Sequence, residues 1–263
     1  MMNTTRFLTI FGRFYLGLVL VFLYLPIIVM AVMSFNRSEF YQLPVVYSTI
    51  WYEQLAENDA LLAAAFNSIW IAMVTTVIAT ALGTAAAIAL FRYEFPGKRI
   101  LQVLLFPPIA IPWLITGTAM LIFFFAVGIG RGSQAVLLGH VALALPYVIV
   151  VVSARLRTFE PELEEAARSL GASHWQTTRF VTLPWISSGV IAGALFAFAV
   201  SFDQFVVSYF LSTPGESTLP VEIYAAIREG FTPEINAVST IIIVVSMTVM
   251  LVAARFAKFG GER

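Results

Sequence analysis

Long apolar stretches separated by short polar ones set the pattern of this chain. Six are long enough to cross about 30 Å of hydrocarbon at about 1.5 Å per helical residue. They run over Phe14–Met33, Ala64–Phe91, Leu101–Val127, Ala135–Val152, Pro184–Leu211 and Asn236–Phe256. The pattern predicts an all-α polytopic membrane protein with six transmembrane helices in a single domain, residues 1–263. Two shorter stretches, Thr49–Asn58 and Leu219–Glu229, mix polar and apolar positions and read as amphipathic helices, either lying on the membrane surface or simply solvated.

Two interruptions stand out. Within the third stretch, Pro107, Pro108 and Pro112 precede Trp113 and Gly117. Each proline removes a backbone donor, so a broken helix lining a pathway and a kink used for packing both fit. Pro146 in the fourth stretch reads as a kink. The other interruption is the polar segment at about 155–184. Glu162, Glu164 and Glu165 favour the positive end of a short helix dipole, and Pro161 suits its first turn. Gly171 supplies a left-handed stop, and Ser173 with Gln176 has capping-box spacing. The segment therefore reads as helix, glycine corner, helix: a surface built to be gripped.

Charge orients the chain. Twelve of the fifteen Lys and Arg fall on one side: Arg6, Arg13, Arg92, Lys98, Arg99, Arg155, Arg157, Arg168, Arg179, Arg255, Lys258 and Arg263. Only Arg37, Arg131 and Arg228 lie opposite, so the positive-inside rule places both termini and the Glu165 segment in the cytoplasm. The outer side is acidic, with an interfacial belt expected from Tyr41, Tyr47, Trp51 and Tyr52. Tyr93, Trp175 and Trp185 are expected to do the same inside. Hydrophobic residues make up 60% of the 263 and charged residues 11%, with zero net charge and no cysteine. Bulk charge therefore implies no nucleic-acid partner, and the lack of cysteine excludes any disulfide framework. The first stretch exceeds a signal-peptide core and is expected to stay attached.

Small residues at fourfold spacing, Ala79-Gly83-Ala87 and Gly189-Gly193, mark close helix contacts within the chain or between subunits. Asp203 is the one acidic residue that falls inside an apolar stretch. A carboxylate there costs at least about 2.5 kcal/mol and needs a partner or a cavity. On an unbroken helix Phe196 and Phe210 share its face, which suits a cation read by charge and aromatic rings, while Ser201, Gln204 and Ser208 form a polar strip beside it. A buried aspartate bonded to a neighbouring helix is the alternative. His140 reads as a helix–helix hydrogen bond, not a ligand. No phosphate loop, no H-E-x-x-H and no nucleophile–base pair occurs, so neither ATP hydrolysis nor an intramembrane enzyme is indicated.

Glu165-Ala166-Ala167, three residues, Gly171, nine residues, then Val181-Thr182-Leu183-Pro184 resembles the EAA loop of ABC importer permeases. Only valine replaces the pattern's isoleucine. Ser34-Phe35-Asn36, Ser201–Ser208 and Leu219–Tyr224 are similar to the spermidine/putrescine branch, its second permease subunit in particular. The resemblance implies a type I importer permease of the bacterial inner membrane that binds no cofactor itself. Its partners would be a second, different permease chain, two ATPase subunits holding ATP and Mg, and a periplasmic substrate-binding protein. Glu165, Ala166, Ala167, Gly171, Leu183 and Pro184 would couple to the ATPase. Asp203, Gln204, Phe196, Phe210 and Trp113 would line the substrate pathway. The branch often carries two adjacent acids where this chain has Asp203-Gln204, one carboxylate fewer for a multiply charged polyamine; a polyamine or related amine is still expected, with another small solute open. A secondary transporter or channel would instead work without the ATPase.

Overall fold

The computed structural model describes residues 2–39, 42–105, 110–230 and 233–259. Tyr41, Pro107, Pro108 and Arg263 lie outside the described residues. A helix stands at each of the six apolar stretches. Four, over Leu8–Met33, Asp59–Arg92, Ser133–Leu156 and His174–Phe202, are long and apolar enough to cross a membrane, and Trp113–Ala126 and Glu234–Thr248 are shorter apolar helices. Among the described residues the one β pairing is an isolated bridge between Asn36 and Tyr47. The chain forms two compact units: Met1–Asp59 with Ala225–Leu251, and Ala60–Tyr224 with Val252–Arg263.

The first unit contains α1 (Met2–Met33), α2 (Ile50–Glu57) and most of α12 (Glu234–Phe259). Ser34-Phe35-Asn36 organises the turn after α1. Asn36 is buried, its Nδ2 donating to the Gln42 carbonyl at 3.0 Å and its Oδ1 accepting from the Val46 amide at 3.2 Å. Trp51 donates its indole N–H to the Asn36 carbonyl at 2.6 Å, and Tyr52 bonds Ser34 Oγ at 2.7 Å. Trp51 is therefore a buried anchor for α2 and not part of an interfacial belt; its polar tip has a better partner inside the turn than at a lipid boundary.

The second unit is built on α6 (Ser133–Leu156), with α3 (Asp59–Arg92), α4 (Lys98–Leu104) and α5 (Trp113–Ala126) before it. One apolar cluster joins Ala79, Ala87 and Leu90 of α3 to Val148, Val152 and Leu156 of α6 and to Ile186 and Ala197 beyond. The small-residue stripes explain this closeness. A Cβ on Gly83 would sit 2.7 Å from Val148 Cγ1, and one on Gly189 would sit 2.7 Å from Arg155 Cβ. Both stripes thus pack within the chain. Pro146 lies inside α6, which runs on uninterrupted.

Two expected boundaries change. The stretch Leu101–Val127 is not one helix: α4 ends at Leu104 and α5 starts at Trp113, after an extended Pro112. The fifth span also differs at both ends. It begins inside the polar loop, because α8 (His174–Thr177), a π turn (Thr178–Thr182) and α9 (Leu183–Phe202) form one continuous helix. Pro184 has no N–H for the carbonyl four residues back, and the preceding turn widens so that Leu183 N–H bonds Thr178 O. At the other end α9 stops at Phe202, and α10 (Val206–Leu211) follows after a break. The next helix, α11 (Leu219–Glu229), and α2 both occupy the places expected of amphipathic helices.

Candidate functional site

The polar loop folds as its residue types dictate. In α7 (Glu162–Ser169) three glutamates occupy the first turn behind Pro161. Its end is a Schellman closure: Ala172 N–H bonds Ala167 O at 3.1 Å and Gly171 N–H bonds Arg168 O at 2.9 Å, with Gly171 at φ +89°. Ser173 and Gln176 complete a reciprocal capping box at 2.8 and 3.3 Å. The two helices enclose a cleft of about 430 Å³ lined by Ala167, Leu170, Gly171, Gln176 and Phe180. Glu165 and Ala166 face outward, and Leu170 is 90% exposed, with Trp175 and Phe180 also exposed. Leu183 is half-buried against the apolar cluster, while Pro184 is exposed in the first turn of α9.

Beneath this surface lies a polar knot that the loop sequence alone does not announce. Arg92, the last residue of α3, pairs with Glu164 and donates to Thr182 Oγ1 and, at 2.8 Å, to Thr178 Oγ1. Thr182 also donates to Glu164 at 2.6 Å. Of the adjacent glutamates, Glu164 is thus committed inward and Glu165 outward. The pairing joins distant parts of the chain, and its one trace in the sequence is a lone arginine ending an apolar stretch opposite an acidic turn. On the same side, Trp185 packs edge-on to Phe159 and under the Arg155 guanidinium, a structural contact and not a lipid-boundary one.

The second region is the break in the fifth helix. Asp203 closes α9, its amide bonding Ala199 O at 3.1 Å, and its side chain is exposed. The next residue, Gln204, is 1% exposed. Because the helix ends there, the expected common face of Phe196, Asp203 and Phe210 is not formed. Phe210 instead turns to α5, where a Cβ on Gly117 would meet its ring at 2.9 Å. Phe196 is exposed on α9, and Trp113 opens α5 at 38% exposure. The aromatic companions that follow the break are Phe205, Tyr209 and Tyr224, with ring centroids 4.9–5.8 Å apart. Of the expected polar strip of Ser201, Gln204 and Ser208, the two serines meet at His140 from either side of the break, and Ser208 also donates to the Gln204 carbonyl.

Beyond the break the chain is pinned to the start of α6. Gly132 N–H donates to Leu211 O at 2.7 Å, Arg131 donates to Ser212 O, and Glu216 accepts the Ser133 N–H at 2.9 Å. That amide, with the hydroxyls of Ser133 and Thr213, holds the Glu216 carboxyl below its ordinary value. A cavity of about 610 Å³ adjoins it, lined by Arg131, Tyr209, Phe210 and Glu222 among others.

The profile of the binding-protein-dependent transport system inner membrane component family matches residues 79–259, which hold both the polar loop and the break. The chain belongs to this family. It is 38% identical over 239 residues to the spermidine/putrescine transport system permease protein PotC of Haemophilus influenzae, covering 91% of this chain and 93% of that one. The putrescine transport system permease protein PotI of Escherichia coli is 38% identical over 229 residues, covering 84% and 82%. Among solved structures, a bacterial ABC transporter that imports the acidic polysaccharide alginate superposes with TM-score 0.76 at 16% identity, covering 97% of both chains. The MetNI methionine ABC transporter gives TM-score 0.65 at 19% identity, over 79% of this chain and 99% of that one. The fold is that of an ABC importer permease, an all-α inner-membrane component.

Proposed function

We propose that this chain is the pathway-forming permease of an ATP-driven importer for a polyamine, spermidine or putrescine. The observation that carries the substrate reading is the exposed carboxylate of Asp203 at a helix break, followed at once by the Phe205–Tyr209–Tyr224 ring group. An ammonium group is recognised by such a pairing of negative charge with aromatic faces. The names of the PotC and PotI relatives favour the same solute class. Gln204 acts as the buried neighbour that fixes the turn, and Phe196, Phe210 and Trp113 form apolar walls of the route.

The chain works as one permease domain with both termini cytoplasmic, consistent with its twelve-to-three distribution of basic residues. Its partners are a second permease chain, two ATPase subunits that hold ATP and Mg, and a periplasmic binding protein. This chain holds no cofactor and catalyses no chemistry. The exposed face of Glu165, Ala166, Ala167 and Gly171 enters a groove on the ATPase, the alanines allowing close approach, and Leu183 with Pro184 carries the motion into the fifth helix. ATP-driven closure then moves that helix between inward-facing and outward-facing states.

The test is uptake of radiolabelled spermidine and putrescine by the assembled transporter in proteoliposomes. Asp203→Asn should lower uptake while assembly and binding-protein affinity stay intact. Uptake unchanged in that variant would remove Asp203 from the pathway, and uptake independent of ATP would overturn the coupling scheme.

A further inference from the structure

The break in the fifth helix is spanned by a single side chain. His140 sits mid-way along α6 and is 1% exposed. Its Nδ1 lies 2.9 Å from Ser201 Oγ in the last turn of α9, and its Nε2 lies 2.9 Å from Ser208 Oγ in α10. One ring therefore holds the chain on both sides of Asp203.

The direction of each bond follows from proton counting. Ser208 Oγ donates its hydrogen to the Gln204 carbonyl at 2.7 Å, so toward the ring it can only accept. The ring must then carry its proton on Nε2. A neutral imidazole has one N–H, which leaves Nδ1 to accept from the Ser201 hydroxyl. The bonds run one way, from Ser201 through His140 and Ser208 to the carbonyl of Gln204, the residue beside Asp203. Both ring nitrogens are used, so the ring has no position left for a solute or a metal.

Packing reinforces the hold. A Cβ on Gly139, next to His140, would meet Val207 Cγ1 at 2.9 Å and Leu211 Cδ1 at 3.0 Å, so α10 lies against α6 only because that position has no side chain. Hydrogen bonds hold Ser201 and Ser208, and packing holds Val207, while Asp203 between them is exposed. An apolar side chain of similar size would fill the space but would fix no direction, since dispersion contacts tolerate sliding where hydrogen bonds do not.

We propose that His140 is the positioning residue of the pathway: by bridging the two halves of the fifth helix it sets the orientation in which Asp203 meets the solute. The proposal rests on the reading of Asp203 as the cation-recognising group. A double-mutant cycle separates the two. In the assembled transporter, maximal spermidine uptake is measured for wild type, Asp203→Asn, His140→Leu and the pair, each normalised to assembled complex. His140→Leu should lower uptake about tenfold, and adding Asp203→Asn should then lower it by less than about twofold, because groups acting through one arrangement are not additive. His140→Gln, which offers one donor and one acceptor, should recover at least half of wild-type uptake. If Asp203→Asn alone is silent, the reading of Asp203 fails. If Asp203→Asn is impaired and the two effects simply multiply, or if His140→Leu equals wild type, the positioning role is overturned. Should His140→Leu not assemble, Ser208→Ala replaces it in the cycle, since it removes one anchor while keeping the ring, and full multiplication there overturns the positioning role equally.

Discussion

Replacing Arg92 with alanine should loosen the polar loop far from the mutated helix. The guanidinium bonds Glu164, Thr178 and Thr182 at once, and the side chains of the ion pair are 18% and 16% exposed. That is too dry for an exposed pair, which contributes about 0–1 kcal/mol. It is too wet for a deeply buried one, whose disruption costs about 3–5 kcal/mol. After the change Glu164 keeps one strong donor, the Thr182 hydroxyl at 2.6 Å, which offsets part of the loss. A value of about 2 kcal/mol follows, within the range for hydrogen bonds to charged groups. At about 1.36 kcal/mol per decade this is about thirtyfold in a local opening equilibrium. Hydrogen exchange of the Glu162–Ser169 amides, measured on the assembled transporter, should accelerate by that factor. Amides of α4, which carries its own Lys98–Glu94 pair, should not respond. Glu164→Gln should give a smaller effect, and the Arg92→Ala/Glu164→Gln double variant should be no worse than Arg92→Ala. An unchanged exchange rate in α7, or an acceleration spread evenly over the chain, would refute the idea that this knot holds the loop to α3.

Two other perturbations test the two ends of the same unit. Leu170→Ser removes an apolar side chain that is 90% exposed in the chain alone; if the ATPase buries it, about 1.5–3 kcal/mol of association is lost, so pull-down of the ATPase should weaken by at least tenfold with the permease fold intact, whereas unchanged association would place the contact elsewhere. At the opposite end, Glu216 has a depressed folded value, so its contribution is full above the ordinary carboxylate range and fades as pH falls through the folded value; the melting-temperature gap between wild type and Glu216→Gln should therefore be present at neutral pH and close on acidification, and a gap independent of pH would show that its charge plays no part.

Much of the architecture is legible in residue order because membrane helices answer to local rules. Apolar length locates the helices, glycine at 171 and the Ser173–Gln176 pair mark the loop turns, and small-residue spacing marks the contacts on α6. What is not legible depends on residues far apart. Asp203 lies in an apolar run with no proline or glycine beside it, so nothing local signals that α9 stops there. What accompanies the stop is a contact from another helix, His140 bonding Ser201 before it and Ser208 after it. The common face expected of Phe196, Asp203 and Phe210 comes from extending a 3.6-residue period across that break. Trp51 departs from its expected place for the same reason: its partner, the Asn36 carbonyl, is fixed by a turn that periodicity does not describe.

The continuity of His174–Phe202 gives the two regions a mechanical relation. Twenty-nine residues of helix make a rod of about 43 Å at 1.5 Å per residue, with the loop cleft at one end and Asp203 at the other. A helix transmits displacement along its axis with little loss, because each turn is bonded to the next. Its weak points are where that bonding changes register, and here these are the π turn at Thr178–Thr182 and the break after Phe202. The first is clamped by Arg92 and Glu164, the second by His140. Under the proposed coupling, a push on the loop passes the clamped π turn and reaches the break, where two hydrogen bonds to one ring tie α10 to α9. On this arrangement, loosening either clamp should lower the spermidine moved per ATP hydrolysed, but only loosening the Arg92 clamp should also speed hydrogen exchange in α7. Counting ATP, solute and exchanged amides tells the two failures apart.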